Sequence, residues 1–313
     1  MLDIVAKRYW YFLLSLIIII PGTISLLTLG LKLGTDFTGG SEITFSIPQA
    51  NQSRALSDLL TPYHVNYVQP VISRSCPTDC QYLARTKNIT PAEYATIKTL
   101  SRQRFGGKGA TQQSTVSGTI AAALTQQAII AVVVAAIAIL LYISFAFRQS
   151  PHPFRFGTAA VVAMLHDVLV VLGIFSILGA LANVEVDAPF VTAMLTIIGF
   201  SVHDTIVIFD RIRENLGRRT GEPFETIVNH SILQSFVRSI NTSFTVVLSL
   251  LAVFLFTGQA IRFFVLAMLI GIISGTYSSI FNASQILVVW ENHEVRKLLH
   301  RGGGSSAAKA AVL

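Results

Sequence analysis

The sequence contains little charge for its length. Only 12% of its 313 residues are Asp, Glu, Lys or Arg, whereas soluble domains usually carry about 25%. Hydrophobic residues make up 52% of the chain, and the mean hydropathy is +0.62. This balance argues against a soluble enzyme and predicts a polytopic α-helical membrane protein.

The sequence signatures of several enzyme classes are also missing. No Gly-rich phosphate loop ending in Lys-Ser or Lys-Thr occurs, and the run Gly106-Gly107-Lys108-Gly109 is too short to be one. No G-x-S-x-G nucleophile elbow occurs either. The sequence therefore predicts no cofactor.

Cysteine is scarce, because Cys76 and Cys80 are the only two. A metal site would need more ligands, and although Asp79 lies between the cysteines, no His is close. The two side chains are either free thiols or, in an oxidising compartment, a disulfide that closes a small loop. No metal site is predicted.

The net charge of +7 does not indicate a nucleic-acid partner. Most Lys and Arg fall in short loops and tails, as the positive-inside rule requires, and no cleavable signal peptide is evident. Six apolar runs are long enough to span a lipid bilayer. They cover residues 9–33, 128–147, 156–181, 189–209, 240–256 and 263–290. Gly271-x-x-x-Gly275 in the last run predicts a close helix–helix approach.

The predicted organisation has four parts: a cytoplasmic N-terminus with the first span, an extracytoplasmic domain, five further spans, and a disordered cytoplasmic tail. These parts cover residues 1–33, 34–126, 127–292 and 293–313. A basic cytoplasmic loop extends over 210–238, and its residues 222–234 have the pattern of an amphipathic helix on the inner membrane surface. Both termini are predicted to be cytoplasmic.

The extracytoplasmic segment has the pattern of a small α+β domain. Alternating apolar and polar residues predict strands at 41–47, 65–73, 81–87 and 112–117. A first helix is predicted to end near residue 60. Thr90-Pro91-Ala92-Glu93 has the residues of a helix start, and that helix should reach residue 104. The order βαββαβ is that of a ferredoxin-like domain, inserted between transmembrane helices 1 and 2.

Ionisable residues lie within the apolar runs, where each costs about 2.5–3.5 kcal/mol at the helix centre. The fourth span contains His203 and Asp204 and ends at Asp210 and Arg211, which fit a solvated helix end better than a site. At 100° per residue, Asp204 shares a face with Ser201 and Arg211. We interpret Asp204 as a carboxyl that takes up and releases a proton. The alternative is a static salt bridge between helices.

The third span carries His166 and Asp167 near its middle. Asp167 would face Asp204 on the next span, or the His–Asp pair is simply a hydrogen bond inside the bundle. Arg238 opens the fifth span. It is either an interface arginine whose side chain snorkels to the headgroups or a partner that holds and releases the carboxylate of Asp204.

Several motifs resemble those of the SecD/SecF protein-export family. Asp36-Phe37-Thr38-Gly39-Gly40 is similar to the motif that leads into the external domain in that family. The pair His166-Asp167, the run from Ile198 to Val207, the D-R-I-R-E-N run from Asp210 and the R-S-I-N-T-S run from Arg238 fit the same pattern. The resemblance covers residues 5–292, and six spans with one external domain match the shorter of the two family proteins.

The resemblance implies a function in protein export. The architecture is similar to half of a resistance-nodulation-division transporter and pairs with SecD. The pair uses the proton gradient across the bacterial plasma membrane, or a thylakoid-type membrane, to help an unfolded polypeptide leave the SecYEG channel after SecA has driven it in. YajC and YidC are further implied partners. The implied proton relay is Asp204, Arg238 and Asp167, supported by His166, Ser201, His203, Asp210 and Arg211.

Three other interpretations stay open. An intramembrane aspartyl protease would use Asp167 and Asp204, but its G-x-G-D sequence is absent. A structural scaffold subunit would use the ionisable residues only to hold helices together. Half of a small-molecule/proton antiporter is disfavoured, because such transporters usually carry both halves in one chain.

Overall fold

The computed structural model of the protein describes residues 3–70, 80–148, 150, 152–219 and 221–292. Six helices in these ranges are long and apolar enough to cross a membrane, which confirms the predicted number of spans. They are Val5–Thr28, Gly118–Ala146, Pro153–Ala182, Ala188–Arg218, Phe224–Phe256 and Ile261–Glu291. A small sheet domain lies between the first two.

We name the elements in chain order. The helices are α1 (Arg8–Thr28), α2 (Thr35–Thr38), α3 (Ser53–Leu60), α4 (Pro91–Phe105), α5 (Gly118–Ala146), α6 (Pro153–Ala182), α7 (Ala188–Arg218), α8 (Phe224–Phe256), α9 (Gln259–Ser278) and α10 (Ser284–Glu291). The strands are β1 (Gly40–Ile47), β2 (Val65–Pro70), β3 (Cys80–Thr86) and β4 (Gly109–Val116). A π-helical segment, Ser279–Ala283, joins α9 to α10, so the last span is continuous.

Two predicted boundaries differ from the structure. α5 begins at Gly118 rather than near residue 128, because Ser117 caps its first turn by accepting a hydrogen bond from the backbone N–H of Ile120 at 3.3 Å. α8 is one helix, so residues 222–234 are not a separate surface helix and the loop predicted at 210–238 is short. Polar residues before Ile240 weaken the hydropathy signal, but they do not end a helix.

The sheet domain has the strand order β2-β3-β1-β4, and every neighbouring pair is antiparallel. Helices α3 and α4 supply Leu56 and Ile97 to a core that includes Ile43, Phe45 and Tyr82 of the sheet. The element order is β1-α3-β2-β3-α4-β4. The alternating apolar residues of β1 and β3 thus form the sheet's side of the domain core.

The predicted helix start at Thr90 is confirmed. The Thr90 hydroxyl accepts a hydrogen bond from the backbone N–H of Glu93, and the Glu93 carboxylate accepts one from the backbone N–H of Thr90 at 2.8 Å. The second bond lowers the pKa of Glu93. This reciprocal cap fixes where α4 begins.

Helices α6, α7 and the last span form the centre of the bundle, since 44–56% of each span is buried, compared with 6–17% for the other three. Glycines allow close packing there. A Cβ added to Gly173 on α6 would lie 2.6 Å from Cα of Gly22 on α1, and one on Gly275 would lie 3.0 Å from Cβ of Ser201 on α7. The close approach predicted from Gly271-x-x-x-Gly275 is confirmed, because both glycines contact α7.

Candidate functional site

Asp167 on α6 lies at the centre of the bundle and is only 1% exposed. Its Oδ2 accepts hydrogen bonds from the hydroxyls of Ser201 on α7 and Ser278 on α9, both at 2.6 Å. Its Oδ1 accepts one from Ser274 on α9 at 2.7 Å and lies 3.0 Å from Nδ1 of His166. We call the three hydroxyls the serine cage. One carboxylate thus joins three helices.

A second layer of hydroxyls extends the serine cage along α7. Ser279 donates to the backbone carbonyl of Ser201 at 3.0 Å, and its hydroxyl lies 2.8 Å from that of Thr205. Ser279 is also the first residue of the π-helical segment. Such segments widen a helix by one residue and are frequent at functional sites. The bonds fix α7 against the last span directly beside Asp204.

His166 is in contact with Asp167, as the hydrogen-bond alternative predicted. Its ring also lies 6.3 Å from that of Tyr277, measured between centroids. The other ring nitrogen, Nε2, is buried and has no hydrogen-bond partner within the described ranges. A buried unpaired nitrogen is a place where water or another polar group is expected.

Asp204 lies three residues beyond Ser201 on α7 and is 6% exposed. Its Oδ2 has no hydrogen-bond partner in the described part of the chain. The buried hydroxyl of Ser239 on α8 is adjacent to this carboxyl, outside the geometry of a hydrogen bond. The structure therefore gives the two buried carboxyls different surroundings, with Asp167 saturated by donors and Asp204 left open on one oxygen. No hydrogen bond among the described residues joins the two carboxyls.

A cavity of about 300 Å³ lies between α5, α7 and α8, at the end of the bundle away from the sheet domain. Its polar lining consists of Asp210, Arg211, Arg213, Gln234, Ser235 and Arg238. Val207, which also lines it, is one helical turn from Asp204, and Ser235 is one turn from Ser239. The open space thus begins about one turn from the open carboxyl.

Arg238 is exposed, and no ion pair in the described ranges joins it to Asp204. Asp210 pairs with Arg213 at 2.6 Å, and Arg211 pairs with Glu214. These i,i+3 pairs agree with the predicted solvated helix end. The structure brings Asp167 of the predicted relay together with the supporting residue Ser201, but it forms no ion pair between Asp204 and Arg238 within the described residues.

The motif at residues 36–40 joins the sheet domain to the bundle. Asp36 Oδ2 accepts a hydrogen bond from the backbone N–H of Ala188, the first residue of α7, at 2.9 Å. Phe37 packs against the apolar cluster that contains Phe190. Gly40 has a φ of 131°, and a Cβ there would lie 2.7 Å from the carbonyl oxygen of Thr86. Only glycine fits this position without strain.

The predicted disulfide involves Cys76, which lies outside the described residues. Within those ranges, no three His, Cys, Asp or Glu side chains are grouped so that they could hold a metal ion.

The sequence analysis did not identify the two serine-cage residues on α9. Ser274 and Ser278 are separated by four residues, so they share a helix face, and this spacing was the only available signal. It is weak, because serines in transmembrane helices usually bond to their own backbone or to any nearby helix.

The fold and the site define a class of protein: a polytopic membrane protein with ionisable side chains buried in its bundle and one sheet domain outside it. Comparison with known proteins narrows this class. The family model described as "Protein export membrane protein SecD/SecF, C-terminal" matches residues 96–293, and that described as "SecD/SecF GG Motif" matches residues 24–47. The chain belongs to the SecD/SecF family.

Full-length relatives agree with this assignment. The chain is 49% identical to a protein of Thermobaculum terrenum over 98% of its own length and 100% of the relative's. It is 42% identical, with the same coverage, to a protein of Anaerolinea thermophila. Both relatives carry the name protein translocase subunit SecF, and the name describes a translocase subunit rather than an enzyme.

A solved structure is also similar. The SecDF crystal structure from Thermus thermophilus, described as a translocon-associated membrane protein, matches with a TM-score of 0.81 and 29% identity. The match covers 93% of this chain but only 39% of that longer one. A Bacillus subtilis protein named SecDF is likewise matched over 39% of its length, at 33% identity.

Proposed function

We propose that the protein is an accessory subunit of the Sec translocase that acts with SecD and uses the proton-motive force in late steps of export. The observation that carries the proposal is Asp204, a buried carboxyl with one unpaired oxygen, one turn from a polar cavity. Membrane segments rarely bury an ionisable group without a function. The family relationship supports the role in the translocase, and the geometry around Asp204 supports proton binding at this residue.

In this proposal Asp204 takes up and releases the proton, and the cavity lets water approach it from the cytoplasmic side. Asp167 has the opposite surroundings. Three serine hydroxyls already donate to its two oxygens, and Nδ1 of His166 lies 3.0 Å from Oδ1. We therefore assign Asp167 to holding α6, α7 and α9 together, and Asp204 to the proton. Arg238, on the cavity wall, is the cation that would meet Asp204 in another conformation.

The partnership with SecD is supported by polar side chains on the bundle surface. His203 is the sixteenth of the 31 residues of α7, at its midpoint, and Asn241 is near the midpoint of α8. Both are exposed. A polar side chain facing hydrocarbon at this depth is unfavourable, whereas one facing another helix can hydrogen-bond to it. We propose that the helices of SecD cover these two residues.

Replacing both His203 and Asn241 with Leu is expected to lower co-purification of SecD several-fold, because the partner's polar groups would lose their hydrogen bonds. Leu141→Ala on α5, a change at a 64% exposed apolar position, is the control and should leave co-purification unchanged. Full recovery of SecD with the double variant would contradict this docking surface.

The remaining partners and the orientation follow from the family relationship and the charge pattern. We propose that the chain lies in the bacterial plasma membrane with both termini in the cytoplasm. We further propose that the sheet domain is ferredoxin-like, which its element order β1-α3-β2-β3-α4-β4 supports, and that it is extracytoplasmic and touches the exported polypeptide as it leaves SecYEG after the SecA step. YajC and YidC would join the same assembly.

Export into inverted membrane vesicles tests the proposed function. With ATP and SecA saturating, vesicles that contain the protein and SecD are expected to complete export faster than vesicles without them, but only when a proton gradient is present. An equal stimulation with and without the gradient would instead support a purely structural subunit. A gradient-dependent efflux of small molecules without any effect on export would favour the antiporter.

A further inference from the structure

The sheet domain contacts the helix that carries Asp204 through a compact set of bonds. We call this set the outer junction and define it as residues 32–37, Arg85 and residues 183–188. Val186 donates to the carbonyl of Lys32 at 2.8 Å and accepts from the N–H of Gly34 at 2.7 Å. Leu33 and Val186 thereby form a parallel β-bridge. The segment leaving α1 is thus hydrogen-bonded to the segment leading into α7.

Carboxylates of both segments hold the first turn of α7. Asp36 accepts from the N–H of Ala188 at 2.9 Å, and Asp187 accepts from the N–H of Phe190 at 3.1 Å. Burial raises the pKa of Asp187, and the nearby Asp36 carboxylate adds to the rise. The N-terminal end of α7 is therefore hydrogen-bonded to the chain that enters the sheet domain, and this contact is partly shielded from solvent.

Ion pairs add a third connection, from the sheet itself. Arg85 on β3 pairs with Glu42 on β1 at 3.0 Å and also with Glu185, which precedes α7. Lys32 lies 3.7 Å from the same Glu185, whose side chain is only 8% exposed. Removing one partner of a buried ion pair lowers stability much more than removing one partner of an exposed pair.

The position of these contacts restricts how the sheet domain can rotate relative to the bundle. The chain enters the sheet domain through Gly39 and leaves it through Gly118, and a Cβ on Gly39 would lie 3.3 Å from Cα of Gly118. Two connections so close together would act as a hinge. The contacts of Arg85 and Asp36 with residues 185–188 provide a separate anchor that stops rotation about that hinge.

We infer that the outer junction makes the sheet domain follow the movement of α7, with Asp36, Arg85 and Glu185 as positioning residues that act through this helix. α7 is continuous from Ala188 to Arg218, and Asp204 lies about 24 Å along it from Ala188. A tilt or shift of α7 at Asp204 is therefore transmitted to its outer end as a rigid-rod displacement. The inference rests on the proposed role of Asp204.

A distance measurement tests this without an export assay. Spin labels at Thr99 on α4 and Ile137 on α5, both exposed, report the domain relative to the bundle in the complex with SecD reconstituted in vesicles. Wild type is expected to give a narrow distance distribution, and Asp204→Asn should shift its mean. In the Asp36→Ala/Glu185→Gln double variant we expect a broader distribution and loss of that shift.

Two controls separate the possible failures. Asp58→Asn removes an exposed carboxylate on α3 of the same domain, away from the junction, and should keep both the narrow distribution and the shift. Asp36→Asn retains an oxygen acceptor for the N–H of Ala188 and should behave more like wild type than Asp36→Ala.

If the double variant keeps a narrow distribution, or keeps the shift, the outer junction is not the link. A different failure is that Asp204→Asn alone leaves the mean distance of the wild-type protein unchanged while the double variant broadens the distribution. The junction then holds the domain, but the proposed role of Asp204 is wrong, and the inference is wrong with it.

Discussion

Replacing Asp204 with Asn is expected to abolish the difference in export rate between vesicles with and without a proton gradient, while the complex with SecD stays assembled. Asn has nearly the same shape but cannot carry the proton. The change should cost little stability, because Oδ2 of Asp204 makes no hydrogen bond within the described residues and the adjacent Ser239 hydroxyl can pair with the new amide.

The expected size follows from the membrane potential. One charge moved across it is worth about 2.3 kcal/mol per 100 mV, which biases a conformational equilibrium about 50-fold. Losing that bias removes the acceleration rather than reducing it slightly. Glu222→Gln is a suitable control, because Glu222 is exposed and pairs with Arg219 at the end of α7. A gradient-dependent rate that survives Asp204→Asn would show that another group couples export to the gradient.

The cost of burying charge made the central residues predictable. His166, Asp167 and Asp204 interrupt apolar runs, and the structure buries both carboxyls in the bundle. The helix start at Thr90 was also predictable, since its reciprocal hydrogen bonds lie within four residues. These features depend on local sequence or on one strong energetic term.

Features that depend on long-range geometry were not predictable in this way. The serine cage joins residues more than 100 positions apart, as Asp167 and Ser278 do, and its serines have no distinctive local pattern. The outer junction likewise joins Arg85 to Glu185, which are 100 positions apart in the sequence. The start of α5 was missed because its first turns are too polar for a hydropathy window.

Asp167→Ala is expected to destabilise the bundle strongly, in contrast to Asp204→Asn. The change removes the acceptor of the three serine-cage hydroxyls and of His166. Interhelical hydrogen bonds in membrane proteins contribute about 0.6 kcal/mol each on average, so the three bonds to the serine cage suggest a loss of about 2 kcal/mol. The free energy of unfolding, measured by titration with a denaturing detergent, should fall by this amount. Ser176→Ala, which removes one hydroxyl on the same helix and its contacts with Ser25 and Gly30, should cost less.

Asp167→Asn distinguishes an anchoring carboxyl from a proton carrier. The amide oxygen can still accept hydrogen bonds, and the amide nitrogen can donate to a serine hydroxyl that has rotated, so most of the stability should return. If Asp167 only anchors the helices, this variant should retain gradient-dependent export, whereas Asp204→Asn should not. If instead Asp167→Asn is as stable as wild type but has lost the gradient effect, Asp167 belongs to the proton relay as the sequence predicted. The two variants at Asp167 therefore test stability and coupling separately, which one substitution alone cannot do.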